Sequence, residues 1–138
     1  MSKGFFIEVE GINGVGKSTL VKALGDALTN AKYNVVLCRE PGGTQFGEAS
    51  RFLFEQFHND MDRITKLFQF SASRRVLCQK VIAPALAAGK VVISDRFASS
   101  TLAHQLGANA QDGDWMVPET NCTGYHRRAL VAPSLNLT

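Results

Sequence analysis

Gly11, Ile12, Asn13, Gly14, Val15, Gly16, Lys17 and Ser18 follow the order GxxxxGK[ST], with Thr19 next. Glycines at such spacing let backbone N–H groups turn inward as an anion nest, and a helix starting there adds partial positive charge. An ammonium at the lysine position reaches β- and γ-phosphates, and the following hydroxyl ligates Mg2+. The segment predicts a nucleoside triphosphate site on Gly11, Asn13, Gly14, Val15, Gly16, Lys17, Ser18 and Thr19, with Ser18 on the metal.

A phosphate cradle alone does not separate a GTPase, a motor ATPase and a small-molecule kinase. Three further segments bear on the acceptor: Arg39-Glu40-Pro41-Gly42-Gly43-Thr44, Phe70-Ser71-Ala72-Ser73-Arg74, and Asp95-Arg96-Phe97 followed by Ser100 to Gln105. Two arginines beside the cradle suggest a second phosphate. Phe70 and Arg74 are four apart and share a helix face, so a ring and a guanidinium could address one flat ligand. Core packing plus a surface charge is the other reading, since an aromatic at helical spacing is usually core.

These residues need elements to position them. Gly4 to Glu10 reads as a first strand ending near Gly11, and Leu20, Val21, Leu24 and Leu28 give the following segment a helical period. Asn34 to Cys38 and Lys90 to Ser94 are short continuous apolar runs, as expected of parallel strands covered on both faces. Thr44 to Phe57 and Met61 to Ala88 read as helices, the second interrupted only by Pro84 and stopped by Gly89. The alternation predicts an α/β fold: a P-loop NTPase three-layer α/β/α architecture with a parallel sheet, as one domain over residues 1–138. The C-terminal ends of its strands share one crevice, so Lys17, Arg39, Asp95 and Arg96 should converge. Leu135 to Thr138 looks like the opening of a strand, so the C-terminal part of this architecture is expected to be missing.

The strings EGINGVGKST, REPGGT, FSASR and DRFASSTLAHQ, in that order, resemble thymidylate kinase, the P-loop family that passes the ATP γ-phosphoryl group to dTMP. The resemblance is strong from Phe5 to about Gln105. It implies ATP and Mg2+ as cofactors, with Lys17, Arg39, Asp95 and Arg96 as the catalytic set. Arg39 and Arg96 would hold the dTMP phosphate, and Asp95 would organise Mg2+ through water. Phe70 would stack on thymine and Arg74 would donate to a thymine carbonyl. Thr101 and Gln105 would border the base, and Asn13 would contact the sugar 3′-hydroxyl. The family also implies a homodimer. Asn13 stands where an acidic residue is common, and His104 stands where related bacterial enzymes carry Tyr, which implies weaker rejection of a 2′-hydroxyl. Gly14 places the chain with members whose catalytic arginines sit in a later lid, so poor turnover is expected of these 138 residues. The alternatives are a truncated or non-catalytic nucleotide-binding module, and a deoxynucleoside kinase, which would not need two arginines for an existing phosphate.

Composition sets the outer bounds. The chain has 138 residues, 45% of them apolar, and a net charge of +3. Basic and acidic residues balance through residue 70, and seven basic face four acidic residues beyond it. So dispersed an excess implies neither a nucleic-acid nor a membrane surface. No signal peptide or transmembrane run is read. Cys38, Cys78 and Cys122 lack CxxC spacing or a nearby His pair for zinc, pointing to a reducing, cytoplasmic setting. His58 and His126 read as surface residues, Arg127 and Arg128 as a solvated helix face and Trp115 as core; Arg51 and Arg75 could reach phosphates, with solvent the favoured reading for each. The NxT triplets at Asn121 and Asn136 read as chance matches.

Overall fold

The computed structural model describes residues 3–11 and 16–97, with the backbone of residues 127–131. Its elements are β1 (Phe5–Glu10), α1 (Lys17–Asn30), β2 (Val35–Arg39), α2 (Gln45–Phe57), α3 (Arg63–Leu77), a π-helical turn (Cys78–Ile82), α4 (Ala83–Ala87), β3 (Val91–Asp95) and β4 (Arg127–Val131). The strands pair in parallel in the order β2-β3-β1-β4. With the order β2-β3-β1-β4, the connection from β1 runs to one side of the sheet and the connection from β3 to the other, so direction reverses between these two neighbouring strands. That is the switch point at which open parallel sheets leave a crevice beyond their strand ends.

Side chains of a strand alternate between faces, and here each face has its own core. Ile7, Val9, Val91 and Ile93 pack with Val21 of α1 on one side. Phe6 and Val92 pack with Leu77, Ile82 and Leu86 on the other. Two helical layers thus enclose the sheet, as the α/β/α expectation requires. β1 and β3 are buried almost throughout, whereas β2 lies at the sheet's edge and leaves Leu37 half exposed against Gly25. The second face is not wholly apolar. Glu8 and Ser94 are register partners there, both fully buried, and Cys38 pairs with Ser94 from the far side.

The helices begin where local chemistry says they should. Thr44 caps α2 by accepting from the Gly47 amide at 2.9 Å, and Asp62 caps α3 by accepting from the Thr65 amide at 2.7 Å. The expected long helix is present as an unbroken helical stretch from Arg63 to Ala87, in which α3 passes through the π-helical turn into α4. Proline lacks an N–H and its ring meets the carbonyl four residues back, so the widened turn lies where Pro84 requires accommodation. Gly89 follows with φ 74 and closes the helical stretch.

Two expectations need correction. Arg127 and Arg128 lie on β4, paired with Phe6 and Ile7, and not on a helix. Two arginines outweigh three apolar residues in a pattern count, but the sheet selects the segment by backbone pairing beside β1. Cys38 is a free buried thiol, whereas Cys78 is disulfide-bonded, which sequence spacing does not suggest. Asn121, Cys122, Trp115, His126 and Leu135 to Thr138 lie outside the described residues.

Candidate active site

The C-terminal ends of β2 and β3 and the start of α1 surround a cavity of about 530 Å³. Gly16, Lys17 and Ser18 line it from the start of α1, Arg39 and Glu40 from the end of β2, Asp95 and Arg96 from the end of β3, and Arg51 from α2. Lys17, Arg39, Asp95 and Arg96 therefore converge as the sequence predicts. Four cationic side chains face two carboxylates, a balance suited to a polyanion.

Gly16 holds the N-cap of α1 at φ 86, a left-handed conformation that costs glycine least. Lys17 and Ser18 follow in the first helical turn. Lys17 is buried, and burial together with the Arg96 guanidinium lowers its pKa, opposed by Asp95 and Glu10. The Ser18 hydroxyl donates to Asp95 Oδ2 at 3.2 Å. A hydroxyl and a carboxylate are thereby joined at the helix N-terminus, beside the lysine.

The acceptor side is built from strand ends extended by backbone bonds. Glu40 N–H donates to the Asp95 carbonyl at 3.1 Å, and Arg96 N–H to the Val9 carbonyl at 3.0 Å. The Arg39 side chain is exposed and lies 3.4 Å from Glu48. Glu48 also accepts from the Gly43 amide at 3.1 Å, and these contacts, the amide foremost, hold its carboxyl below the usual range. A Cβ on Gly47 would fall 2.5 Å from the Gly42 carbonyl oxygen, so the loop can rest on α2 only because Gly47 is a glycine.

Arg74 is not at the cavity surface. It is 1% exposed, and its Nε donates to Glu40 Oε2 at 2.8 Å. Its guanidinium lies over the Phe97 ring, 5.3 Å from the centroid. Phe70 is half-buried on the same helix and packs on Phe54 with centroids 5.1 Å apart. Neither Phe70 nor Arg74 lines the cavity; Glu40 connects the cavity to Arg74. Burial pushes the Glu40 carboxyl up to about 7 while Arg74 opposes the rise.

Sequence reasoning passed over Glu40 and Glu10 here and favoured solvent over phosphate for Arg51. Glu40 was visible inside the REP string but reads as spacing between Arg39 and the turn. Arg51, for which phosphate reach was the less favoured reading, lines the cavity while pairing with Glu55 at 3.2 Å. Glu10, which ends β1, accepts from the Phe97 amide at 3.0 Å. Thr19 is exposed on α1 and Gly11 is half-buried after β1. Asn13, Gly14, Val15, Thr101, His104 and Gln105 lie outside the described residues.

Comparison with known proteins places this arrangement. The chain is 44% identical over 103 residues to a thymidylate kinase of Exiguobacterium sibiricum, covering 74% of this chain and 49% of that protein. It is 48% identical over 105 residues to one of Cereibacter sphaeroides, covering 75% and 48% respectively. The chain thus spans about half the length of the curated relatives it matches. The crystal structure of thymidylate kinase from Ehrlichia chaffeensis superposes with a TM-score of 0.80 at 34% identity, over 95% of this chain and 72% of that one. The model of the thymidylate kinase family matches residues 9–123, a stretch that includes every segment lining the cavity. By the extent of that match, the chain belongs to the thymidylate kinase family.

Proposed function

We propose that this chain carries the donor and acceptor sites of an ATP-dependent kinase that phosphorylates dTMP to dTDP, within a single P-loop domain. The observation that carries the reading is the cavity itself. A phosphate cradle's lysine and serine face Arg39, Arg51 and Arg96 across one space. A nucleoside kinase would need no such grip on an existing acceptor phosphate, whereas two phosphorylated substrates need cations on both sides.

The donor set fits a magnesium nucleotide. Ser18 Oγ and Asp95 Oδ2 are hard oxygen donors held together at 3.2 Å, the chemistry that Mg2+ selects. When bound, the ion neutralises charge on the phosphates. Lys17 would draw in the β- and γ-phosphates of ATP, and its burial strengthens that attraction. Arg39 and Arg96, with Arg51 as a third guanidinium, would hold the dTMP phosphate in line with the donor. Phosphoryl transfer asks little covalent work of the protein, so positioning and charge neutralisation account for these roles. Phe70 is assigned to the thymine face, with Thr101, His104 and Gln105 beside it and Asn13 on the sugar, while Arg74, buried against Glu40, supports the site from behind.

We also assign the protein to a homodimer. Among the described residues no helix is long and apolar enough to cross a membrane. Phe46, Leu53 and Phe57 form one half-exposed stripe along α2, the kind of surface a second copy would cover.

The test is ADP release in a coupled assay with Mg·ATP against a panel of deoxy- and ribonucleoside monophosphates and nucleosides. Preference for dTMP supports the proposal. ATP binding without turnover on any acceptor identifies a non-catalytic nucleotide-binding module instead, and turnover of thymidine but not dTMP identifies a nucleoside kinase.

A further inference from the structure

Arg96 is a non-glycine residue at φ 69, and it lines the cavity. A non-glycine side chain in the left-handed region is strained and persists there only where surrounding structure fixes the backbone. Each backbone polar group around it is tied. Arg96 N–H donates to the Val9 carbonyl at 3.0 Å, and the Ser94 hydroxyl donates to the Arg96 carbonyl at 2.6 Å. Phe97 N–H donates to Glu10 Oε1 at 3.0 Å, and Arg74 Nη2 donates to the Phe97 carbonyl at 3.3 Å. The Phe97 ring lies edge-on to Phe6 with centroids 4.9 Å apart, and Glu40 anchors Arg74 from behind. The side chains that make these bonds, Ser94, Glu10 and Arg74, are all buried.

We propose that Ser94, with Glu10 and Arg74, is a positioning residue that clamps the backbone at Arg96 and Phe97 in its left-handed turn and so presents the Arg96 guanidinium to the acceptor phosphate. The strain is localised at the one arginine that ends β3, where an extended backbone would carry the chain onward along the strand. Ser94 does the most with the least. Its hydroxyl makes the shortest of these bonds, two residues from the arginine it orients. Arg74 acts through the backbone of Phe97, which gives a buried arginine a role in phosphate binding without touching phosphate. The assignment of phosphate to Arg96 rests on the function proposed above; the clamp itself does not.

The experiment has one arm without ligand and one with it. Unfolding of Arg96→Gly and Arg96→Ala is compared in the Ser94 background and with Ser94→Ala, or with the near-isosteric Ser94→Cys should the alanine variant not fold. Both changes at position 96 remove the charge, so their difference reads backbone strain, reduced by the extra freedom that glycine has in the unfolded chain. Glycine should be favoured over alanine by about five- to thirty-fold in the unfolding constant, and the gap should shrink once the Ser94 hydroxyl is gone. Equal stability of the two variants overturns the strain, and a gap indifferent to Ser94 overturns its part in the clamp. By calorimetry, the Ser94 variant should bind dTMP at least tenfold more weakly than the unaltered chain while Mg·ATP affinity stays within twofold. Unchanged dTMP affinity overturns the presentation of Arg96. If the unaltered chain binds no dTMP, the proposed function fails, and the ligand-free arm still decides the clamp.

Discussion

Lys17 and Arg74 are both buried cations, yet their surroundings predict opposite kinds of failure. Lys17 faces a cavity with Arg96 beside it, and its lowered pKa shows a charge held at some cost in an open polar site. Lys17→Ala should therefore leave the fold intact and weaken Mg·ATP by about 10- to 100-fold, the 1.5–3 kcal/mol of a charged hydrogen bond. Calorimetry reads this directly, and an unchanged affinity contradicts the donor site. Arg74 instead neutralises Glu40 within the second core, close enough to Glu8 and Glu10 that both push the Glu40 pKa upward. Removing one partner of a buried pair strands the other. Arg74→Ala should cost about 3–5 kcal/mol in urea unfolding. Weakened dTMP binding in a fully stable Arg74→Ala protein would return the residue to a purely ligand-facing role.

At the scale of elements, the acceptor side depends on how α2 begins. Thr44 ends the REPGGT string and caps the helix, and Gly47 then lets the loop rest on it, so that Arg39 and Arg51 come from adjoining pieces of one turn. Thr44→Ala should lower stability by about 1 kcal/mol in denaturant unfolding, as loss of an N-cap does. Thr44→Ser should recover most of it. The strand, loop and helix around Lys17 were legible because each is specified locally, by an apolar run, a glycine string and a 3.6-residue period. Convergence of Arg39, Asp95 and Arg96 was legible because a parallel sheet places successive strand ends together. What stayed hidden depends on contacts distant in sequence. The Glu40 and Arg74 pair spans 34 residues, and the Glu10 contact to Phe97 spans 87. β4 was missed for a related reason: its pairing with β1 is a property of the sheet, which no period in RRALV announces. The π-helical turn shows the same limit on a smaller scale, since Pro84 signals an interruption without specifying how the backbone absorbs it.

The whole molecule carries two signatures that single contacts do not. One is the apolar stripe on α2, where Leu53 and Phe57 are each 47% exposed. If a second copy covers it, Leu53→Glu with Phe57→Glu should convert a sedimenting dimer to a monomer without loss of helicity, and a monomeric unaltered chain contradicts the dimer. The other is the dependence of folding on pH. Glu40 moves from an ordinary 4.5 to about 7 on folding, chiefly because burial penalises its charge. Between those values the folded chain holds a proton that the unfolded chain has released, so stability falls as pH rises through the window. Its contribution is complete below about pH 4.5 and gone above about pH 7. Glu48 and Asp62 act in the opposite sense, because hydrogen bonds lower both pKa values and their stabilisation disappears as pH drops through the ordinary carboxylate range. The two trends meet near pH 5. A tenfold change in proton affinity on folding is worth about 1.4 kcal/mol at most, and solvent reaching the cavity reduces what Glu40 realises. Unfolding free energies measured from pH 4 to 8 should pass through a maximum near pH 5 and decline by about 1–3 kcal/mol toward neutrality. In Glu40→Gln the decline should flatten, because an amide carries no proton to release over this range. A decline that persists in Glu40→Gln would assign the titration to another group, and stability flat from pH 5 to 7 would mean that Arg74 holds Glu40 ionised across the whole range.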